Sequence, residues 1–139
     1  MAVLRGETML ERLTHLEENI VSLKELQSKI SLDDIKNNKF DEWALRYGIF
    51  ESIQIIIDIS CHIAAKYNLG TSKSYVECIE KLQKFDYISK TLSKSLIAAI
   101  GLRNMLIHEY VRIDVEQLYS FLDFVDDFGA FGIAVKEVV

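Results

Sequence analysis

The stretch 41-DEWALRYGIFESIQIIIDISCHIAAKY-67 holds the densest apolar content of the chain. Trp43, Leu45, Ile49, Phe50, Ile53, Ile56, Ile57, Ile59 and Ile63 fall on nearly every side of a helix with 3.6 residues per turn. A helix that is apolar all round is buried all round, so this stretch predicts the central helix of a bundle. Asp41 is placed to cap its start, and Asn68-Leu69-Gly70 to end it, with Gly70 as the left-handed residue. Gln54, Asp58, Ser60 and His62 interrupt the run from Ile53 to Ala65. It therefore falls short of the roughly 18 to 20 apolar residues of a membrane span, and no membrane association is expected.

On the N-terminal side, Leu13, Leu16, Ile20, Leu23, Leu26 and Ile30 recur at three- and four-residue steps, predicting an amphipathic helix over about 8–30. Ser31-Leu-Asp-Asp reads as a stop and a short capped turn before the polar loop 36–39. On the C-terminal side, Thr71 or Ser72 caps a third helix reaching about Phe85, and a fourth begins near Ser89 or Thr91. Asp114 caps a fifth, carrying Val115, Leu118, Phe121, Leu122, Val125 and Phe128. The chain has no proline and no alternating strand pattern closed by Asn-Gly or Asp-Gly turns. The expected fold is all-α, an antiparallel bundle of about five helices forming one domain over residues 1–139.

The formal charge of −5 excludes a surface coated with basic residues for nucleic acid, but leaves room for a local basic groove. Cys61 and Cys78 match neither a metal-ligand spacing nor a disulfide framework, so reduced thiols and a cytoplasmic location are expected. The start MAVLRGETMLERL has no apolar core of the kind a secretory signal needs. Asp127-Phe-Gly129 lacks every other kinase element and is expected to end or bend the fifth helix.

Polar chemistry concentrates in 103-RNMLIHEY-110, at the end of the fourth helix. Asn104 and His108 are one turn apart and share a face. Arg103 and His108 are five residues apart, about 140° around the axis, so on a straight helix they cannot converge on one small ligand. Either the helix unwinds near His108, or another helix or a second subunit completes the site. Burying polar groups costs free energy unless they are paired, and such departures from packing logic tend to mark function. A helix-terminal histidine and a structural arginine pair remain the plainer alternative. Asp58 and Arg46 have two readings: an internal pair, or a pairing of Asp58 with Arg103, on one side, and residues lining the same cleft on the other. His62 reads as a satisfied helix histidine, His15 as a surface or dimer-rim residue, and Glu109 as solvated.

The spacing of Arg103, His108 and Tyr110, with four residues and then one between them, resembles the signature of the HEPN superfamily, and Asn104 matches the polar residue that often follows its arginine. The surrounding GLRNMLIHEYVRID is similar to the HepT-like branch, and the likeness extends over roughly Leu45 to Phe128. The resemblance implies the toxin of a two-gene, type VII-like toxin–antitoxin module: a homodimeric endoribonuclease that uses no metal and no cofactor. It implies Arg103 and His108 as the catalytic pair, with Asn104 and Tyr110 in support; Asp58 and Arg46 join that support on the reading that they line the same cleft. It further implies a minimal nucleotidyltransferase antitoxin as partner, silencing the toxin by AMP transfer to Tyr110.

The chemistry suits the residue types. Histidine can move a proton near neutral pH, and arginine's charged fork can hold a phosphate. Arg103, Arg46 and Arg112, doubled across a dimer, would supply the positive potential the chain otherwise lacks, making binding salt-sensitive. The alternatives are a non-catalytic module that binds a nucleotide or docks its partner, and a purely structural bundle.

Overall fold

The first helix, α1 (Met9–Lys29), begins where Thr8 and Glu11 satisfy each other's backbone N–H groups in a capping box. The computed structural model describes residues 8–108 and 113–139. A second capping box, Ser31 with Asp34, turns the expected short stop into a helix of its own, α2 (Leu32–Asn37). The central helix is α3 (Lys39–Lys66), followed by α4 (Tyr75–Lys84), α5 (Lys90–His108), α6 (Val115–Ser120) and α7 (Val125–Val135).

The all-α bundle expected from the sequence is the fold observed, and α3 is its axis. Among the described residues it packs against each of the other six helices. Leu45, Ile49, Ile53, Ile56, Ile57, Ile59 and Ile63 are all buried within it. By length and composition α3 could cross a membrane, but 56% of its most apolar 18-residue window is buried inside the protein, as in the core helix of a folded domain. From α7, Phe128 and Phe131 complete the core. The Tyr119 hydroxyl donates to the Ile30 carbonyl at 2.7 Å, tying α6 to the end of α1.

Several boundaries differ from the sequence reading. Asn38, not Asp41, caps α3, because its side chain accepts from the N–H groups of both Phe40 and Asp41, which places Asp41 in the first turn. Ser74 rather than Thr71 or Ser72 caps α4. The left-handed residue closing α3 is Asn68 (φ 55°). Its N–H reaches the Ala65 carbonyl and that of Leu69 reaches Ala64, a Schellman end that leaves Gly70 beyond the cap. Asp86 (φ 64°) closes α4 in the same way, with Tyr87 N–H on the Leu82 carbonyl. The expected fifth helix is interrupted by a 3₁₀ turn at Phe121–Phe124, and Gly129 and Gly132 lie inside α7 without ending it. Trp43, expected in the core, is 46% exposed on the first turns of α3.

The cysteines also depart from expectation. Cys61 on α3 and Cys78 on α4 are joined in a disulfide, not held as free thiols. Their 17-residue separation conceals the pairing in the sequence, but packing of α3 against α4 brings the Cα atoms to 5.0 Å, within bonding reach. Closing a loop of this length removes chain entropy equivalent to about 3 kcal/mol from the unfolded state. Cys78→Ser is therefore expected to lower unfolding stability by about that amount under non-reducing conditions. Adding a thiol reductant should bring the wild type down to the variant's urea midpoint.

Candidate active site

Arg103 lies on α5 facing α3, where four side chains hold its guanidinium. Gln54 Oε1 accepts from Arg103 Nε at 3.1 Å and from Nη2 at 2.9 Å. Asn104 Oδ1 accepts from Nη1 at 3.0 Å. The rings of Phe50 and Tyr75 stand 5.7 and 5.1 Å from the guanidinium carbon. Such stacking supports a delocalised cation without neutralising it.

Two open grooves are each lined in part by residues that touch this arginine. One, of about 460 Å³, is lined by Trp43, Arg46, Tyr47, Phe50, Leu106 and Ile107. The other, of about 320 Å³, includes Lys73, Tyr75, Ile100 and Asn104. Phe50 and Tyr75, one in each groove, bracket the Arg103 head between them.

Helix α5 stays helical through His108, which is exposed in its last turn. The helix therefore does not unwind before the histidine, and Arg103 and His108 point to different sides of α5. Tyr110, with Glu109 and Arg112, lies outside the described residues. Arg46 is buried beside the larger groove and its Nε donates to Glu42 at 2.8 Å, one turn earlier on α3. Asp58 pairs with Arg12 of α1, not with Arg46 or directly with Arg103. The spacing of Arg46 and Asp58 along α3 suggests a pair; the actual cation comes from another helix. His62 is exposed.

His15 belongs to a second polar cluster, centred on Glu51. Glu51 accepts from Asn19 Nδ2 at 2.9 Å and from the Tyr47 hydroxyl at 2.6 Å, and lies 3.1 Å from His15 Nε2. Burial alone would raise the Glu51 carboxyl. The hydrogen bonds from Tyr47 and Asn19, with the charges of His15 and Arg12, together hold it below its ordinary value of 4.5. A carboxyl depressed by folding adds stability that is fully present above its unfolded value and is lost as pH falls through the lower folded value. Glu51→Gln is thus expected to be less stable than the wild type near neutrality, with the gap closing below about pH 4. Urea midpoints measured across that range check it.

Gln54, Arg12, Phe50 and Tyr75 join the polar network only in the folded chain, and the sequence reading does not pick them out. For Gln54 a signal exists: a glutamine four residues before an aspartate, inside an apolar run.

The family model described as "Ribonuclease HepT-like" matches residues 16–128. The chain belongs to the HepT-like family. A tRNA nuclease HepT from Aphanizomenon flos-aquae is 34% identical to this HepT-like chain over 96 residues, an alignment covering 68% of this chain and 65% of that relative, just under two thirds of its length. Two solved structures share the fold. One is a tri-AMPylated HEPN toxin of Shewanella oneidensis in complex with an MNT antitoxin, with a TM-score of 0.84 at 20% identity, covering 93% of this chain and 96% of that one. The other is YutE of Bacillus subtilis, described as a cytosolic protein of unknown function, with a TM-score of 0.83 at 16% identity, covering 99% and 92%.

Proposed function

We propose that this HepT-like protein is a metal-independent endoribonuclease, the toxin of a cytoplasmic toxin–antitoxin module, acting as a homodimer on tRNA or mRNA. The observation that carries this reading is the seat of Arg103. Its head is held by Gln54, Asn104 and two aromatic rings at the meeting of two open grooves, on the helix that also presents His108. A charged fork so fixed is suited to gripping a phosphodiester and stabilising charge as it develops on the phosphate oxygens.

In the proposed step the His108 imidazole takes the proton of a ribose 2′-OH. The freed oxygen attacks the adjacent phosphorus, and the bond from phosphorus to the 5′-oxygen breaks. A proton delivered to that oxygen leaves a 2′,3′-cyclic phosphate and a 5′-hydroxyl. Because Arg103 and His108 diverge on a straight α5, a second copy of the chain would bring one copy's histidine to the other's arginine. The apolar side chains left uncovered beside the groove support such pairing: Phe40 is 75% exposed, Tyr47 63% and Ile107 44%.

The kinship with an AMPylated HEPN toxin held by its antitoxin supports the regulatory half of the reading. A minimal nucleotidyltransferase would attach AMP to Tyr110, two residues beyond His108, placing negative charge and bulk where RNA must lie. The relative's tRNA nuclease activity supports tRNA as the first substrate to try.

The test is cleavage of tRNA by purified protein with chelator present, across a salt series. Product with a cyclic phosphate end, formed at a rate that falls as ionic strength rises, is expected. Absence of cleavage by a dimeric, unmodified protein, or indifference to salt, overturns the proposal. Intact-mass analysis after co-expression with the partner should show AMP-sized additions that Tyr110→Phe abolishes.

A further inference from the structure

We propose that Gln54 is a positioning residue for Arg103, with the orientation of its amide set by Asp58. The inference rests on the reading of Arg103 as the phosphate-binding group. It concerns how that group is aimed.

An ionised carboxylate only accepts hydrogen bonds, and a guanidinium only donates them. Between the two stands Gln54, whose amide does both. Its Nε2 donates to Asp58 Oδ1 at 2.9 Å, and its Oε1 accepts from Arg103 at both Nε and Nη2. Turned over, the amide would aim its oxygen at the carboxylate and its NH₂ at the guanidinium, and every contact would become repulsive. The chemistry of its neighbours therefore fixes which end of the amide faces Arg103. Asp58 is in turn fixed by Arg12, which bonds its other oxygen, Oδ2. A chain of polar contacts thus runs from α1 through α3 to α5.

This arrangement leaves Arg103 usefully incomplete. Nε–H, one N–H of Nη2 and one N–H of Nη1 are committed to Gln54 and Asn104. Among the described residues one N–H on each terminal nitrogen has no acceptor, which leaves two donors for the oxygens of a phosphate. A glutamate at position 54 would grip Arg103 more strongly. It would also cancel the cation's charge and set a second carboxylate against Asp58. A neutral amide aims the guanidinium while leaving its charge available to the ligand.

Two measurements on the whole chain test this. The first is hydrogen exchange of the Arg103 Nε–H by NMR, which needs no activity. The N–H should be protected in the wild type, exchange faster in Gln54→Leu, and stay protected in Gln54→Glu, which keeps the acceptor. The second is steady-state RNA cleavage. Gln54→Leu should lose about 10- to 100-fold in kcat/KM, the scale of a misplaced catalytic group. Gln54→Glu should raise KM and flatten the salt dependence.

Asp58→Asn frees the amide to turn over, so it should reduce activity when Gln54 is present and cost no further activity in the Gln54→Leu background. Its loss of melting temperature, which acts largely through Arg12, should persist in both backgrounds. A purely structural Gln54 would instead give additive losses in activity. Unchanged Nε–H exchange in Gln54→Leu overturns the positioning role. So does full activity of that variant when Arg103→Ala is dead. If Arg103→Ala cleaves as well as the wild type, the catalytic reading fails while the exchange result still decides the contact.

Discussion

His108→Ala is expected to reduce RNA cleavage by about 10²- to 10⁴-fold, the usual range for removing a general base or acid. Arg103→Ala should cost at least about 10²-fold through lost stabilisation of charge at the phosphate. Neither change should much affect folding. His108 is exposed in the last turn of α5, and Arg103 is only partly buried, on the surface between two grooves. Loss of activity with an unchanged melting temperature is the expected pattern. Mixing the two inactive variants adds a sharper test. If the groups are pooled across the dimer, a mixed dimer carrying His108→Ala in one copy and Arg103→Ala in the other keeps one intact pairing and recovers part of the rate. No recovery from a verified mixed dimer means that both groups act within one chain.

The largest loss of stability is expected at the other end of the polar chain. Arg12→Ala removes the cation that faces Asp58, where the two side chains are only 9% and 15% exposed. Removing one member of a buried pair leaves a desolvated charge and typically costs about 3 to 5 kcal/mol. Replacing both, as Arg12→Met with Asp58→Leu, should be much milder, because no stranded charge remains. Urea unfolding of the three proteins checks this. A small loss for Arg12→Ala alone would mean that water reaches Asp58 and solvates it. Because Asp58 also receives the Gln54 amide, Arg12→Ala should disturb catalysis at a distance, whereas variants at the exposed His62 should not.

The helices are legible in the sequence because periodicity is local. The stripe of α1, the all-round apolar character of α3 and the cap at Asp114 need no knowledge of the rest of the chain. Boundaries shift where two residues compete for one role. Asn38 and Asp41 are both good caps, and only the geometry of the α2–α3 junction selects Asn38. The Cys61–Cys78 bond is hidden because it depends on how α3 and α4 pack, which their spacing does not encode.

The site divides along the same line. Arg103, Asn104 and His108 form a local pattern that can be read directly. Their neighbours Gln54, Phe50 and Tyr75 come from α3 and the start of α4, and only the folded chain brings them to the arginine. The partner of Asp58 is concealed for the same reason, since Arg12 is 46 residues away along the chain.

A helix such as α3, which touches all six others among the described residues, cannot open without dismantling most of the core. Its mid-helix amides should therefore be among the last in the molecule to exchange with heavy water, opening only with global unfolding. Gln54 and Asp58 sit on that helix, so the scaffold beneath the guanidinium is drawn from the stiffest part of the protein.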